Sequence, residues 1–338
     1  MTLEFAIAGG GSFAIAVLAT WVVAKNAARL GLLDVPNERS SHSSVTPRGG
    51  GLGIVAGVAA GILILSAFRL VPTQALGILF VGAAAIALVG AIDDFHPLKA
   101  RYRLVAHLVV ASLVVVGIGG VERLPLPHPL DIRLGWLGAP VAVLWLVSVT
   151  NFYNFMDGLD GLAAGQAVAS SIGVAVGAWS LGAEQLALLV ATSSAGFLVL
   201  NRPPARIFLG DVGSTSLGFA IAGLPLLAPA SHRPLALFAV GVGLSLFLLD
   251  PLETLIRLAR AGHRVGIAHR RHSYQILAPT RGAHAPVAWT LVAGGLVLAA
   301  SGGLAYRAPI FAWPVAILGV SFYVAERYFA SRQAVSSS

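Results

Sequence analysis

The sequence contains no cysteine, so disulfides, thiolate nucleophiles and cysteine-ligated zinc or iron–sulfur centres are excluded. Any metal must be held by oxygen or histidine. Charge is scarce too: 11% of the 338 residues are Asp, Glu, Lys or Arg, against 57% hydrophobic. With a mean hydropathy of +0.84, a water-soluble domain of this length is excluded, because its surface could not be made polar. Two phosphate-binding signatures are missing as well. Neither a G-x-x-x-x-G-K-[ST] loop nor a G-x-G-x-x-G run following a strand occurs, which argues against an ATP-driven pump and a soluble-type nucleotide domain.

What is present is a succession of apolar runs of about 20 residues, the length needed to cross a bilayer as a helix. Lipid offers the backbone no hydrogen-bond partners, so spans must be helices or closed barrels, and alternating ten-residue barrel strands are not seen. The expected fold is an all-α polytopic membrane protein, one domain over residues 1–338. It has about eleven transmembrane helices, beginning near residues 3, 49, 74, 103, 136, 159, 184, 213, 234, 285 and 309. The first run is too long for a cleaved signal peptide and lacks a small-residue cleavage site, so a retained anchor is expected.

The net charge of +8 and pI near 10.6 fit basic loops that fix topology, not nucleic-acid binding. In an eleven-span arrangement, seventeen of the 22 Lys and Arg fall in loops on one side. The positive-inside rule makes that side cytoplasmic and puts the amino terminus outside. Asp34, Glu38, Asp93, Asp94, Asp157, Asp160 and Asp211 all fall in the same inward loops or at inner span ends. The chemistry is therefore expected in cytoplasmic loops.

Four constellations carry it. Asp93 and Asp94 close the third span, where two adjacent carboxylates call for a cation and raise one another's pKa, so that one suits a general base; a plain helix-end charge pair is the bland alternative. Asn151-Phe-Tyr-Asn154-Phe-Met-Asp157-Gly-Leu-Asp160-Gly puts amides and carboxylates at spacings of three, on one face if helical. Arg206-Ile-Phe208-Leu-Gly210-Asp211-Val-Gly213-Ser214 sets a carboxylate between glycines, as a metal ligand beside amide donors would be; on aromatic statistics alone Phe208 reads as an interface anchor. His269-Arg270-Arg271-His272 suits a pyrophosphate, although any inner loop is expected to be basic. The first inner loop, from Asp34 through His42 and Arg48 to Gly51, has the same ingredients plus three glycines, which either cradle phosphate or permit tight helix packing. Asp250, inside the ninth span, reads equally as a site residue or as a buried structural acid.

Taken together and in order, D-x-P-N-x-R-S-S-H-x-x-x-T-P-R-G-G-G, the Asp93-Asp94 pair, N-x-x-N-F-M-D-G-x-D-G, F-x-G-D-x-G-S and the H-R-R-H cluster resemble the polyprenyl-phosphate N-acetylhexosamine-1-phosphate transferases, in particular the bacterial branch that initiates O-antigen and capsule. The resemblance implies transfer of a sugar phosphate from a UDP-N-acetylhexosamine to undecaprenyl phosphate in the bacterial inner membrane, with magnesium, or manganese in its place. It implies that Asp211 and Asn154 hold the metal and that Asp93 or Asp94 meets or deprotonates the lipid phosphate. Arg103, Arg270 and Arg271 would contact the pyrophosphate, and Phe208 and Asp160 would hold the uracil. Catalytic roles are accordingly expected of Asp93, Asp94, Asp157, His269 and His272, and ligand contacts of His42 as well. The arginines between His269 and His272 depart from the family's histidine motif and leave the essential histidine open. Members of the family often pair, so a homodimer is what the resemblance implies. A transporter would need acids near mid-membrane and duplicated halves, and a lipid-phosphate phosphatase would leave the aspartate motifs without a role.

Overall fold

The computed structural model describes residues 3–36, 45–70, 73–262, 272–278 and 283–336. The chain is almost wholly helical: α1 (Leu3–Leu30), α2 (Gly51–Ala67), α3 (Gln74–Phe95), α4 (Ala100–Ile118), α5 (Gly138–Phe155), α6 (Leu162–Gly177), α7 (Leu181–Asn201), α8 (Gly210–Gly223), α9 (Arg233–Gly243), α10 (Ser245–Arg260), α11 (Ser273–Leu277), α12 (His284–Arg307) and α13 (Ala312–Ser336). Local chemistry sets several ends. The Thr73 and Ser180 hydroxyls accept from the amides of Leu76 and Ala183 and so cap α3 and α7. The only strands among the described residues are Leu33–Asp34 and Thr46–Pro47, antiparallel, at the base of the first loop.

Each expected span start lies within about three residues of a helix start. The count of eleven crossings is a separate matter. Among the described residues seven helices are long and apolar enough to cross a membrane, or up to eight if a bent pair is one span. That pair, Gly210–Leu227 and Ala230–Gly243, bends by 116° at its break, and Gly51–Ala67 and Leu162–Gly177 are shorter apolar helices.

The helix α8 stands at the centre, buried from Val212 to Gly223. The exposed apolar side chains lie on outer helices, such as Leu113 and Val116 of α4 and Ile317 and Val324 of α13, as lipid-facing surfaces require. Between helices the contacts are made by small residues, as expected where lipid removes the hydrophobic drive between helices. The Ser12 hydroxyl, for example, ties α1 to the Gly57 carbonyl of α2 (2.9 Å) and to Ser193 of α7 (2.7 Å).

The tightest approach surrounds α8. A Cβ on Gly51 of α2 would lie 2.2 Å from the Gly213 Cα, and one on Gly90 of α3 would lie 2.4 Å from the Asp211 carbonyl oxygen. Of the two readings of the glycine run, the structure selects packing: the Gly50 and Gly51 amides donate to the carbonyls of Phe208 (2.9 Å) and Leu209 (2.8 Å). Gly51→Val is expected to cost about 1–3 kcal/mol through overpacking, measured as loss of stability in detergent. Gly10→Val, at a position with nothing within 4 Å, is expected to be close to neutral.

Candidate active site

The site forms where α3, α5 and α7 end and α2, α4, α6 and α8 begin. Its anchor is Asp94, whose two carboxylate oxygens accept the first amides of α8, from Asp211 (3.0 Å) and Val212 (3.0 Å). A helix start leaves such amides without intrahelical partners and carries partial positive charge, so a carboxylate borrowed from α3 satisfies both needs. Gly210, at φ +76°, makes room: a Cβ there would meet Asp94 Oδ2 at 2.6 Å. The Arg48 guanidinium reaches the Asp94 carbonyl from the first loop.

Asp93, the neighbour of Asp94, points elsewhere. It accepts the Leu98 amide (2.5 Å) and the Arg103 guanidinium (2.5 Å), and the same Nη1 of Arg103 reaches Asp211 Oδ2 at 2.7 Å. One cation from α4 therefore bridges the end of α3 and the start of α8. One turn along α8, the Ser214 hydroxyl donates to the Asn154 side-chain oxygen (2.7 Å), which brings the end of α5 against the same mouth.

Asp157 lies in the loop after α5, half-buried, and no described residue makes a hydrogen bond to its carboxylate. Burial, with the Asp94 and Asp160 carboxylates nearby, pushes its carboxyl group up to about 7. Asp160 is 4% exposed and acts as a bracket: it accepts the Ala205 amide (3.0 Å), and its other oxygen lies 3.5 Å from His284 Nδ1. Phe208 is half-buried, its amide donating to the Pro47 carbonyl (2.8 Å). His272 is buried, 3.5 Å from Asp250 and stacked on Tyr274. Tyr274 in turn donates to the Phe155 carbonyl (2.8 Å), seating α11 over the Asp157 loop. Asp250 is fully buried and accepts the Ser273 amide (3.1 Å), so it is a structural acid holding α11. His42, His269, Arg270 and Arg271 lie outside the described residues.

Sequence reasoning missed several members of the network. The Asn201 side-chain oxygen accepts the Gly161 amide (3.0 Å), and His284 sits against Asp160; nothing in their local pattern distinguishes them. His107, one turn after Arg103 on α4, is buried and paired with Asn151 (3.3 Å); a polar residue in an apolar span was its only signal.

A divalent cation is testable on the donor set. Asp93, Asp94, Asp157 and Asp211 face two arginines, Arg48 and Arg103, an excess of negative charge, and the free groups are oxygens, which suit magnesium. No three His, Cys, Asp or Glu side chains among the described residues form a closed cage. Magnesium commonly takes one or two carboxylates and completes its shell with water and substrate phosphates. Asp211 and Asn154, joined through the first turn of α8, fit that role.

Two outcomes are expected. Asp94→Asn leaves one of the α8 amides without its acceptor, costs about 1 kcal/mol and raises hydrogen exchange at Asp211 and Val212, read by mass spectrometry. If Asp157 is the base, kcat/KM rises with pH through an acidic limb at or just below 7, since a bound cation only lowers that value. Asp157→Asn should remove the limb and at least about 100-fold of the rate.

Comparison with known proteins gives one consistent answer. The model of glycosyl transferase family 4 matches residues 76–228, which include Asp93, Asp94, Arg103, Asn154, Asp157, Asp160, Phe208 and Asp211. A probable undecaprenyl-phosphate N-acetylglucosaminyl 1-phosphate transferase of Bacillus subtilis is 35% identical over 72% of this chain and 68% of its own length. A decaprenyl-phosphate N-acetylglucosaminephosphotransferase of Mycobacterium leprae is 30% identical over 81% and 77%. A phospho-N-acetylmuramoyl-pentapeptide-transferase of Halalkalibacterium halodurans is 30% identical over 64% and 69%. With its motifs gathered at one mouth, the chain belongs to the polyprenyl-phosphate N-acetylhexosamine-1-phosphate transferases of glycosyl transferase family 4.

Proposed function

We propose that the chain transfers N-acetylhexosamine-1-phosphate from a UDP-sugar to undecaprenyl phosphate at the cytoplasmic face of a bacterial inner membrane, as the first step in building a cell-surface polysaccharide such as O-antigen. The observation that carries this reading is the Arg103 bridge between Asp93 at the end of α3 and Asp211 at the start of α8, with Asp94 between them and the uncommitted Asp157; we read these helix ends as lying at the bilayer surface. A lipid-borne nucleophile and a water-borne donor can meet only there.

In the proposed reaction an oxygen of the lipid phosphate bonds to the phosphorus that carries the sugar, and the bond from that phosphorus to the UMP oxygen breaks. UMP leaves with the electron pair. Asp157 takes any proton remaining on the attacking phosphate. Asp93 and Asp94 both have their oxygens committed to protein donors, which favours Asp157 for this task. Arg103 is placed to exchange its carboxylates for phosphate oxygens as charge develops. Asp211 and Asn154 would hold a magnesium ion, which would supply charge neutralisation on the phosphates. Phe208, at the loop edge, is placed to stack on the base, whereas Asp160 can meet the uracil only if its bracket to Ala205 and His284 opens. Direct attack is preferred over an aspartyl intermediate because it needs fewer steps.

The cytoplasmic placement rests on the excess of Lys and Arg in loops on the site side. It is supported by the direction of the helices: α1, α3, α5 and α7 end at the site face, and α2, α4, α6, α8 and α12 begin there.

The test is UMP release by purified protein given undecaprenyl phosphate, magnesium and UDP-N-acetylglucosamine, with other UDP-N-acetylhexosamines as alternatives. Release is expected to need both lipid and sugar nucleotide and to fall at least about 100-fold in Asp211→Asn, the order of loss when one charge-stabilising group is removed. No release with any donor from folded protein refutes the reading.

A further inference from the structure

Arg48 stands at the mouth with a guanidinium that is bonded to no carboxylate. Backbone bonds fix its place: its amide donates to the Leu32 carbonyl (2.9 Å), and the Pro47 carbonyl before it accepts the Phe208 amide (2.8 Å). The side chain is half-buried, and Nη2 donates to the Asp94 carbonyl. Among the described residues that is the one hydrogen bond the guanidinium makes, and it forms no ion pair. Nε is buried without an acceptor; Nη1 is equally unbonded but is not buried. The Asp94 charge lies close enough to act on Arg48, yet both Asp94 oxygens are spent on the Asp211 and Val212 amides. Arginine is not deprotonated in proteins, so the open Nη1 is a standing donor to an anion.

Other donors of the mouth are already engaged. Arg103 is held by Asp93 and Asp211, so a phosphate that takes Arg103 leaves two carboxylates uncovered. The Gly50 and Gly51 amides are spent on the carbonyls of Phe208 (2.9 Å) and Leu209 (2.8 Å). A phosphate that takes Arg48 displaces no acid, so its charge-assisted bond is made without a loss elsewhere. The backbone bonds also select the phosphate. They join residues 47–51 to residues 208–209, which makes Arg48 and Phe208 parts of one unit. A nucleotide whose base rests on Phe208 brings its own phosphates to Arg48.

We propose that Arg48 binds a phosphate oxygen of the sugar nucleotide's diphosphate through Nη1. The assignment rests on the proposed reaction, with Phe208 as the platform for the base, and adds to it a ligand on the first loop. Arg48 and Arg103 would then flank the end of α3, one ready for the donor on arrival and the other released from its carboxylates as charge develops.

The test uses the full-length protein in detergent at fixed magnesium. Affinity for UDP, and for uridine by competition, is read by calorimetry; KM for the sugar nucleotide and for undecaprenyl phosphate is read from UMP release. Arg48→Gln is expected to weaken UDP roughly tenfold or more, the order for one hydrogen bond to a charged group. The KM for the sugar nucleotide should rise in step, with uridine affinity and the KM for undecaprenyl phosphate unchanged. Arg48→Lys keeps the charge without the planar fork. It should show a smaller loss, again confined to the diphosphate, and it carries the test if the Gln variant does not fold. Equal weakening of UDP and uridine makes Arg48 a prop for the end of α3 and overturns the proposal. A rise in KM for undecaprenyl phosphate alone assigns Arg48 to the lipid phosphate and overturns it too. Unchanged UDP affinity in both variants, with UMP release intact, refutes this inference and leaves the reaction standing, whereas a folded wild type that binds no UDP or UDP-sugar refutes the reaction itself.

Discussion

The Asp94 carboxylate on the Asp211 and Val212 amides in the first turn of α8 is the contact from which the site is laid out, because it joins the end of one helix to the beginning of another. With α8 held there, Asp211 faces Arg103, and Ser214, one turn later, meets Asn154. The glycines at 51, 90 and 213 let α2 and α3 approach α8 closely enough for these bonds to form. Packing and polar chemistry are thus one arrangement: larger side chains at those positions would move α8 and everything it carries.

The electrostatics follow from the same geometry. A carboxylate at the centre of a membrane helix costs about 2.5–3.5 kcal/mol on insertion scales, and this mouth gathers four of them at span ends. Two are quieted by protein donors: Asp94 by α8 and Asp93 by Arg103 and the Leu98 amide. Asp211 shares Arg103, and Asp157 has no described donor, so the mouth carries negative charge in excess of its arginines. A substrate phosphate entering there meets these carboxylates together with Arg103 and Arg48. Asp93 and Asp94, adjacent in sequence, point to different elements: Asp93 to Arg103 and the Leu98 amide, Asp94 to the start of α8.

Membership of the glycosyl transferase 4 family and the placement of the matched residues 76–228 agree. That stretch runs from α3 to just beyond α8 and contains the four carboxylates of the mouth together with Arg103 and Asn154. Before it the chain supplies Arg48 and Gly51; after it, His272, Tyr274 and His284, which cover the Asp157 loop and brace Asp160. The matched core holds the groups for phosphate chemistry, and the flanking segments close around it.

The helices and their starts were legible in the sequence, because a bilayer forces every backbone amide into a helix and apolar runs of fixed length report that directly. The acids at span ends were equally legible, since ionisable residues are too costly in lipid to lie there without a task. Local sequence could not say which acid does what. Asp93 and Asp94 have the same side chain and nearly the same position, yet one meets a guanidinium and the other a helix start, according to the partner that packing presents. The glycine run read equally well as a phosphate cradle or a packing surface until its amides were found bonded to the Phe208 and Leu209 carbonyls. Asp250 stood out as an acid inside a span but its task did not, and His284 and Asn201 gave no local signal, because the partners lie elsewhere in the chain: 22 residues separate Asp250 from His272, and 124 separate His284 from Asp160. Residue type and hydropathy determined the architecture and the chemical inventory; only the tertiary packing of α8 decided which groups are committed to structure and which remain for a substrate.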